Sequence, residues 1–302
     1  MKKLLFVFNP RSGKGLIKNH LLAIVETFSK AGYEILIHPT KRPLDAKEIV
    51  MKKQGKTDLI VCCGGDGTIS EVVSGIIETG SKVPVGYIPA GSTNDFANSL
   101  RLPKKMENAA EVAVSGQIRA IDMGKFNGRT FVYVAAFGAF TEVSYATSQN
   151  LKNVLGHQAY ILEGFKKMSS IRAIPMKITV GDEVIEDSFI YGMVSNAKSV
   201  GGMKGITGKH VHLDDGVFEV TLVKKIRNPL DLNAILSVLV GIMKQSERVV
   251  RLKGSNITFE SQKPVPWTLD GEYGGTQEFV EVENQKQIVN LVVGKMEKKS
   301  EG

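Results

Sequence analysis

Residues 61–75, VCCGGDGTISEVVSG, carry an apolar run into three glycines around Asp66 and then into a helix-like segment. Glycine weakens the interior of an element, but it tolerates positive φ and lets another backbone, or a phosphate, come close. A helix starting at Thr68 would aim its unpaired amides and positive dipole end at the same place, which makes Gly64, Gly65, Asp66, Gly67 and Thr68 a candidate phosphate cradle. Asp66 would not bind phosphate directly, because two anions repel; it would hold a cation or a water on one. The competing reading is a plain turn in which Asp66 or Thr68 only caps the helix. Two further polar loops weaken that alternative: NPRSGKG (9–15), with Ser12, Gly13, Lys14 and Gly15, and PAGSTNDF (89–96), with Gly91, Ser92, Thr93 and Asn94. Neither standard nucleotide fingerprint fits, since Gly65-x-Gly67 lacks a glycine at position 70 and no Gly-x4-Gly-Lys-Ser/Thr occurs.

A second set of candidates lies far along the chain. Asp270 and Glu272 are separated by Gly271, so they would share a face of an extended strand, and the glycine permits a turn that would bring both onto a cleft. A primary hydroxyl is a poor nucleophile, and a carboxylate within hydrogen-bond reach that deprotonates it typically contributes about 10²- to 10⁴-fold. Taken alone, an acid beside GEYGG is equally readable as a solvent-facing turn residue. HLDDGV (212–217) reads as an ordinary turn before a strand; its oxygens could hold a hard cation, although the alternating ligands of an EF-hand loop are missing. His20, His38, His157, His210 and His212 have no ligand-like company.

The elements that must position these residues follow from periodicity. KLLFVF, YEILIH, DLIVCC and VPVGYIP read as strands separated by helices, with Leu21, Leu22, Val25 and Phe28 on one face of the first helix and Gly32 at its end. Strands buried on both faces and separated by helices predict a parallel sheet, at whose carboxyl edge all three polar loops would end. After about residue 118 the pattern changes. Asn127-Gly128 and Gly181-Asp182 sit between apolar runs as hairpin turns, and GVFEVTLV, NITFES and VPWTL are further strands, so a mostly antiparallel sandwich or barrel is expected. Helices are expected near 140–170 and at 229–244, the latter capped by Asn228 with Pro229 at its first position; QIVNLVVG could return to either sheet.

A chain of 302 residues with 42% apolar and 23% charged residues is an ordinary globular composition, most simply two domains. MKKLLFVF is too short for a secretory signal and meets NPRSGKG in place of a cleavage site, and AILSVLVGIM (234–243) is about half the length of a bilayer crossing. Cys62 and Cys63 are adjacent in a strand and can form neither a staple nor a Cys-x-x-Cys site, which points to a cytoplasmic protein. The net charge of +8, with basic pairs at 52–53, 104–105, 166–167 and 224–225, suits solvated faces or attraction to nucleotides and anionic membranes; without an aromatic-basic module, nucleic acid is not expected as a partner.

GGDGTISEVVSG, PAGSTNDFA, LDDGVFEV and LDGEYGG, in this order, resemble the bacterial diacylglycerol kinase family of soluble lipid kinases over nearly the whole chain. The Gly-Gly-Asp-Gly-Thr core is shared with NAD kinases and phosphofructokinases; followed by TNDF and then DGE it is specific. The resemblance implies a Rossmann-like α/β N-terminal domain with a parallel sheet, of the NAD kinase and diacylglycerol kinase type, plus a mainly antiparallel β-sandwich C-terminal domain. It places ATP phosphates at Gly65, Asp66, Gly67, Thr68 and Glu71, and further nucleotide contacts at Asn9, Ser12, Gly13, Thr40 and Thr93. It makes Glu272 the base for the lipid hydroxyl with Asp270 beside it. It also implies a structural Mg2+ held by Asp215 and by backbone carbonyls near His212 and Val217, linked through water to acids such as Asp122 and Asp66.

The expectation is therefore an ATP- and magnesium-dependent kinase that phosphorylates a primary hydroxyl of diacylglycerol or a similar lipid to give phosphatidic acid. Its active site would lie between a nucleotide-binding domain (1–120 with 288–302) and a β-rich lipid-substrate domain (121–287). Transient, salt-sensitive attachment to a membrane surface is expected, with a homodimer as one possibility and SNAKSVGGMKGIT (195–207) as a candidate flap. The alternatives are a kinase for another alcohol, such as a sphingoid base, another glycerolipid or NAD, and a nucleotide-binding regulator without turnover.

Overall fold

The computed structural model describes residues 1–139, 172–203, 206–208, 211–239 and 242–294. The helices expected near 140–170, with His157, and His210 lie outside the described residues. Two compact units are formed, one by Met1–Ile121 with Gln287–Gly302, the other by Asp122–Lys286.

In the first unit, β1 (Lys2–Phe8), β2 (Tyr33–Pro39), β3 (Leu59–Gly64) and β4 (Val85–Pro89) alternate with α1 (Ile17–Lys30), α2 (Asp45–Lys52), α3 (Asp66–Glu78), α4 (Asp95–Ser99) and α5 (Met106–Ser115). β1 pairs in parallel with β2 and β3, and β3 pairs in parallel with β4. β3 and β4 are buried along their whole length, as the continuous apolar runs require, whereas β2 is half exposed. One face of the sheet is closed by Ile17, Ile24 and Phe28 of α1 and Met106, Ala109, Ala110 and Ala113 of α5. Phe28 meets Phe6 edge-on at 5.3 Å, a favoured aromatic geometry. α2 packs on α3. α1 ends where expected, with Gly32 at φ +83° donating its amide to Ser29. His20 pairs with Glu107 and His38 with Asp45, so both histidines hold helices in place.

The second unit is built from β5 (Gln117–Phe126, which begins in the first unit), β6 (Arg129–Phe131), β7 (Val134–Gly138), β8 (Ile174–Val180), β9 (Glu183–Ser195), β10 (Phe218–Lys224), α6 (Pro229–Leu239), β11 (Val249–Gly254), β12 (Asn256–Leu269) and β13 (Glu272–Val293). Every registered pairing within it is antiparallel. The hairpins form at the two turns foreseen, joining β5 to β6 across Asn127-Gly128 and β8 to β9 across Gly181-Asp182. β9 and β12 change partners midway: their outer halves pair with β8 and their inner halves with β7. The core centres on Trp267, whose ring lies 4.9–5.1 Å from those of Phe126, Phe137 and Phe259. The amide of Asp231 donates to the Asn228 side chain, so α6 has the expected cap.

QIVNLVVG is the end of β13, where Leu291 pairs in parallel with Val85 of β4 and Val292 enters the first unit's core. β13 is a single strand of 22 residues, longer than any run foreseen, because its first half is too polar to show strict alternation. Among the described residues no helix is long and apolar enough to cross a membrane.

Candidate active site

Three loops leave the carboxyl ends of β1, β3 and β4 and are knitted together by their own backbone. The Asn9 amide donates to the Cys63 carbonyl at 2.9 Å, and the Ser12 hydroxyl accepts the Gly65 amide at 3.2 Å. Gly13 has φ +56°, and a Cβ there would stand 2.5 Å from the Ala90 carbonyl oxygen. A Cβ on Gly91 would stand 2.7 Å from Gly65 Cα. Glycine at these positions is a requirement of close approach, since any side chain would drive the loops apart. Asn94, at φ 53°, closes its own loop: its Oδ1 accepts the Gly91 amide and its Nδ2 donates to the Gly91 carbonyl, both at 2.8 Å.

α3 starts at Asp66, two residues before the position read from the sequence, and Gly65 is its N-cap with no side chain to offer. Asp66 caps a different helix: its carboxylate accepts the amides of Asp95 and Phe96, each at 3.2 Å, in the first turn of α4. Thr68 is buried in α3's first turn beside Gly67. Thr40 stands at the end of β2 with its amide on the Phe8 carbonyl, and half-buried Thr93 is in the third loop. Glu71, one turn further along α3 than Gly67, accepts the amides of Leu44 and Ala46 at 2.8 and 3.1 Å and so holds the start of α2. Beneath the rim, the buried Tyr87 hydroxyl donates to the Gly64 carbonyl at 3.3 Å, and burial, reinforced by Asp66, raises its pKa well above the usual value. Burial also pushes the Cys63 thiol up to about 12 and Cys62 well above its ordinary value, so neither is a nucleophile.

In the second unit the acid pair separates. Asp270 and Gly271, with φ of 51° and 86°, form the two-residue turn between β12 and β13, and Leu269 faces Glu272 across it. Asp270 is buried, and its carboxylate accepts the amides of Val132, Tyr133 and Val134 at 2.8, 3.0 and 3.2 Å. The expectation of two acids on one face is corrected here: a carboxylate held by three amides organises the start of β7, while Glu272 alone is exposed. The Asp-Gly dipeptide was the available signal, because positive φ at both residues is what this turn demands.

The HLDDGV segment wraps around Asp122. Asp122 is fully buried, its Oδ2 accepts the Gly216 amide at 2.6 Å, and its carbonyl accepts Asn196 Nδ2 at 2.8 Å. Asp215 is exposed with Oδ1 on the Val217 amide, and the His212 side chain is exposed. Among the described residues no group of three or more His, Cys, Asp or Glu side chains could hold a metal ion. Asn196 Oδ1 and Asn284 Oδ1 are nevertheless buried without a hydrogen-bond partner, and Asn284 Nδ2 is 3.5 Å from Asp122 Oδ2. Orphaned amide oxygens beside a buried carboxylate are the hard donors that a magnesium ion takes, so the segment fits a cation supplied by carbonyls and water better than one held by clustered acids. Asn196 and Asn284 were not found by sequence reasoning, and Asn94 was found only as a loop residue, because an asparagine in a loop carries no signal of what its amide will reach.

The sequence matches the diacylglycerol kinase catalytic domain family over residues 3–126 and the YegS C-terminal NAD kinase beta sandwich-like domain family over residues 134–292. A Bacillus subtilis protein named diacylglycerol kinase is 32% identical over 296 residues, covering 96% of each chain. The chain belongs to the diacylglycerol kinase family. A second member, the diacylglycerol kinase of Staphylococcus saprophyticus, is 33% identical over 276 residues, or 91% of this chain and 90% of its own. A solved Bacillus anthracis diacylglycerol kinase shares the fold with a TM-score of 0.76 at 22% identity over 97% of both chains. Another structure from that organism reaches a TM-score of 0.83 at 26% identity, covering 97% of this chain and 95% of the other. In diacylglycerol kinase terms, the catalytic-domain match contains the knitted rim and the sandwich-like match contains Glu272.

Proposed function

We propose that the chain is an ATP-dependent lipid kinase that transfers the γ-phosphoryl group to the primary hydroxyl of diacylglycerol, giving phosphatidic acid. The observation that carries this reading is the rim itself: three loops drawn together by glycine contacts and backbone hydrogen bonds at the carboxyl ends of β1, β3 and β4, in a member of this family. Phosphoryl transfer asks the protein chiefly to position reactants and neutralise charge, and a rim of backbone amides does this without reorganising. Gly65, Gly67, Thr68, Ser12 and Gly13 cradle the phosphates, Asn9, Thr40 and Thr93 border the nucleotide, and Asp66 and Glu71 hold the starts of α4 and α2 in place around it.

Glu272 accepts the proton of the acceptor hydroxyl as its oxygen bonds to the γ-phosphorus and the bond from that phosphorus to the β,γ-bridging oxygen breaks, with ADP as the leaving group. Asp270 positions it by fixing the turn on which it stands. A magnesium ion would be held at the 212–217 segment by Asp122, Asp215 and carbonyls near His212 and Val217, and would supply positive charge and local order there. Residues 1–120 with 288–302 serve the nucleotide and 121–287 the lipid, in the cytoplasm and in transient contact with a membrane surface.

Labelled ATP offered with a panel of neutral lipids in mixed micelles tests the reading. Label in phosphatidic acid is the expected result. Transfer only to a sphingoid base, another glycerolipid or NAD would replace the acceptor, and ATP binding with no transfer to any alcohol would make the protein a nucleotide-binding regulator.

A further inference from the structure

A kinase whose acceptor lies in a bilayer has to meet that bilayer, and resting on the lipid-kinase reading, the surface around α6 is suited to it. α6 packs inward through Ile235, Val238 and Leu239, all buried. Its two ends do the opposite. Leu230, in the first turn, is 77% exposed, and Ile242, just past the last turn, is 79% exposed, with Met243 beside it. Such side chains are normally scattered singly over a protein surface, and here they stand at both ends of one short helix. They are held firmly: the amides of both Ile242 and Met243 donate to the Ser237 carbonyl, and the first turn is tied by the Asn228 cap and by Asp231, which accepts the Arg227 amide and pairs with Arg248 at 3.0 Å.

The charge around these tips is mainly positive. Residues 224–248 hold Lys224, Lys225, Arg227, Lys244 and Arg248 against Asp231 and Glu247, five minus two, so this segment carries +3 of the chain's net +8. Lys224 is paired with Asp187 and Arg248 with Asp231. Lys225, Arg227 and Lys244 are exposed, and the exposed acid of the segment is Glu247. An eleven-residue helix spans roughly 16 Å, too little to cross a membrane but enough to lie in its interface. Aliphatic tips flanked by lysine and arginine match the layout of a bilayer boundary, with acyl chains inside and anionic headgroups outside.

We propose that Leu230, Ile242 and Met243, with Lys225, Arg227 and Lys244, form the surface by which this protein docks on an anionic lipid bilayer. The tips enter the acyl region while the cations meet the headgroups. Both parts are needed, because attraction to headgroups alone is weak and is screened by salt within a Debye length.

The test uses the full chain and flotation with vesicles of phosphatidylcholine alone or with about 30% phosphatidylglycerol. The expected result is binding to the anionic vesicles that falls about tenfold or more in Leu230→Ser/Ile242→Ser. Binding of Lys225→Gln/Arg227→Gln/Lys244→Gln should lose its dependence on phosphatidylglycerol, while Leu22→Ser, equally exposed on α1, should bind like the parent. As a readout independent of affinity, Ile242→Trp should be quenched by brominated lipid, since the chain's one native tryptophan, Trp267, is buried. The proposal is overturned if the parent does not bind anionic vesicles, if the double serine variant binds as well as the parent, or if Ile242→Trp binds and is not quenched. It is also overturned if the serine variant only dissolves a dimer in sedimentation, which would make this face a contact between copies. Transfer to a short-chain diacylglycerol in free solution separates the two readings. Serine variants that keep it and lose vesicle binding support the docking surface, and a parent that lacks it sinks the kinase reading while flotation still decides the surface.

Discussion

Asp66 and Asp270 stand in similar words of sequence, each next to a glycine and each at the end of a buried strand, and the two units use them alike but for different ends. Asp66 is half-buried and accepts two amides at the start of α4, at 3.2 Å. Asp270 is buried and accepts three, at 2.8–3.2 Å, at the start of β7. In the first unit the acid braces a rim that faces solvent and has glycines for neighbours; in the second it braces a turn and leaves its neighbour Glu272 exposed. The lesson is that an acid in a functional motif is often there to hold backbone, and that the amides it accepts tell a bracing acid from a reacting one.

The largest test of that distinction is Glu272→Gln. If Glu272 is the reacting acid, transfer falls by about 10²- to 10⁴-fold with ATP affinity and melting temperature unchanged; steady-state transfer, ATP titration and a thermal melt measure all three. Asp270→Asn should do the reverse in kind. Replacing a buried carboxylate that accepts three amides costs about 2–4 kcal/mol in a denaturant melt, and activity should fall through folding. A variant that keeps its stability and loses transfer would move Asp270 back to the reacting class.

Gly13→Ala probes the rim without touching an acid. With φ at +56° and a carbonyl 2.5 Å from the new methyl, it should destabilise by roughly 1–3 kcal/mol and weaken nucleotide binding, as followed by calorimetry. Asp66→Asn keeps one acceptor for α4 and should cost about 1–2 kcal/mol, less than its counterpart in the second unit. The smallest effect is expected at Asp187, a half-buried carboxylate whose hydrogen bond to Lys224, 2.8 Å away, holds its pKa below the usual value. Its contribution, under about 1 kcal/mol, is present above the ordinary carboxylate pKa and lost as pH falls through the depressed one. The difference between parent and Asp187→Asn should therefore shrink on acidification in melts taken from pH 7 downward.

The sequence was most legible where local chemistry and tertiary need agree. Four apolar runs between helices announced β1 to β4, although β2 is half exposed where burial on both faces was expected; the Asn127-Gly128 and Gly181-Asp182 turns appear where positive φ was required, and the Asn228 cap starts α6. Legibility stopped at long-range hydrogen bonds. Glu71 reaches back 27 residues to the Leu44 amide, and Asp270 reaches back 138 to Val132. No spacing rule carries such reach, which is why Asp270 reads as reactive and the knitting role of Asn94 is not visible. The rim's glycines are visible as glycines, but which backbone each would meet is not.

β13 has a consequence for the order in which the molecule can be made. The first unit's sheet takes its last strand from residues near 291, and Val292 is part of its core, although the parallel strands β1 to β4 of that sheet are finished by residue 89. On the ribosome, the part of the protein that is synthesised first must therefore wait, with one edge of β4 open, until nearly the whole polypeptide has emerged. A chain stopped after residue 286 should harm this early-made portion before the later one, visible as protease cuts that cluster ahead of residue 121.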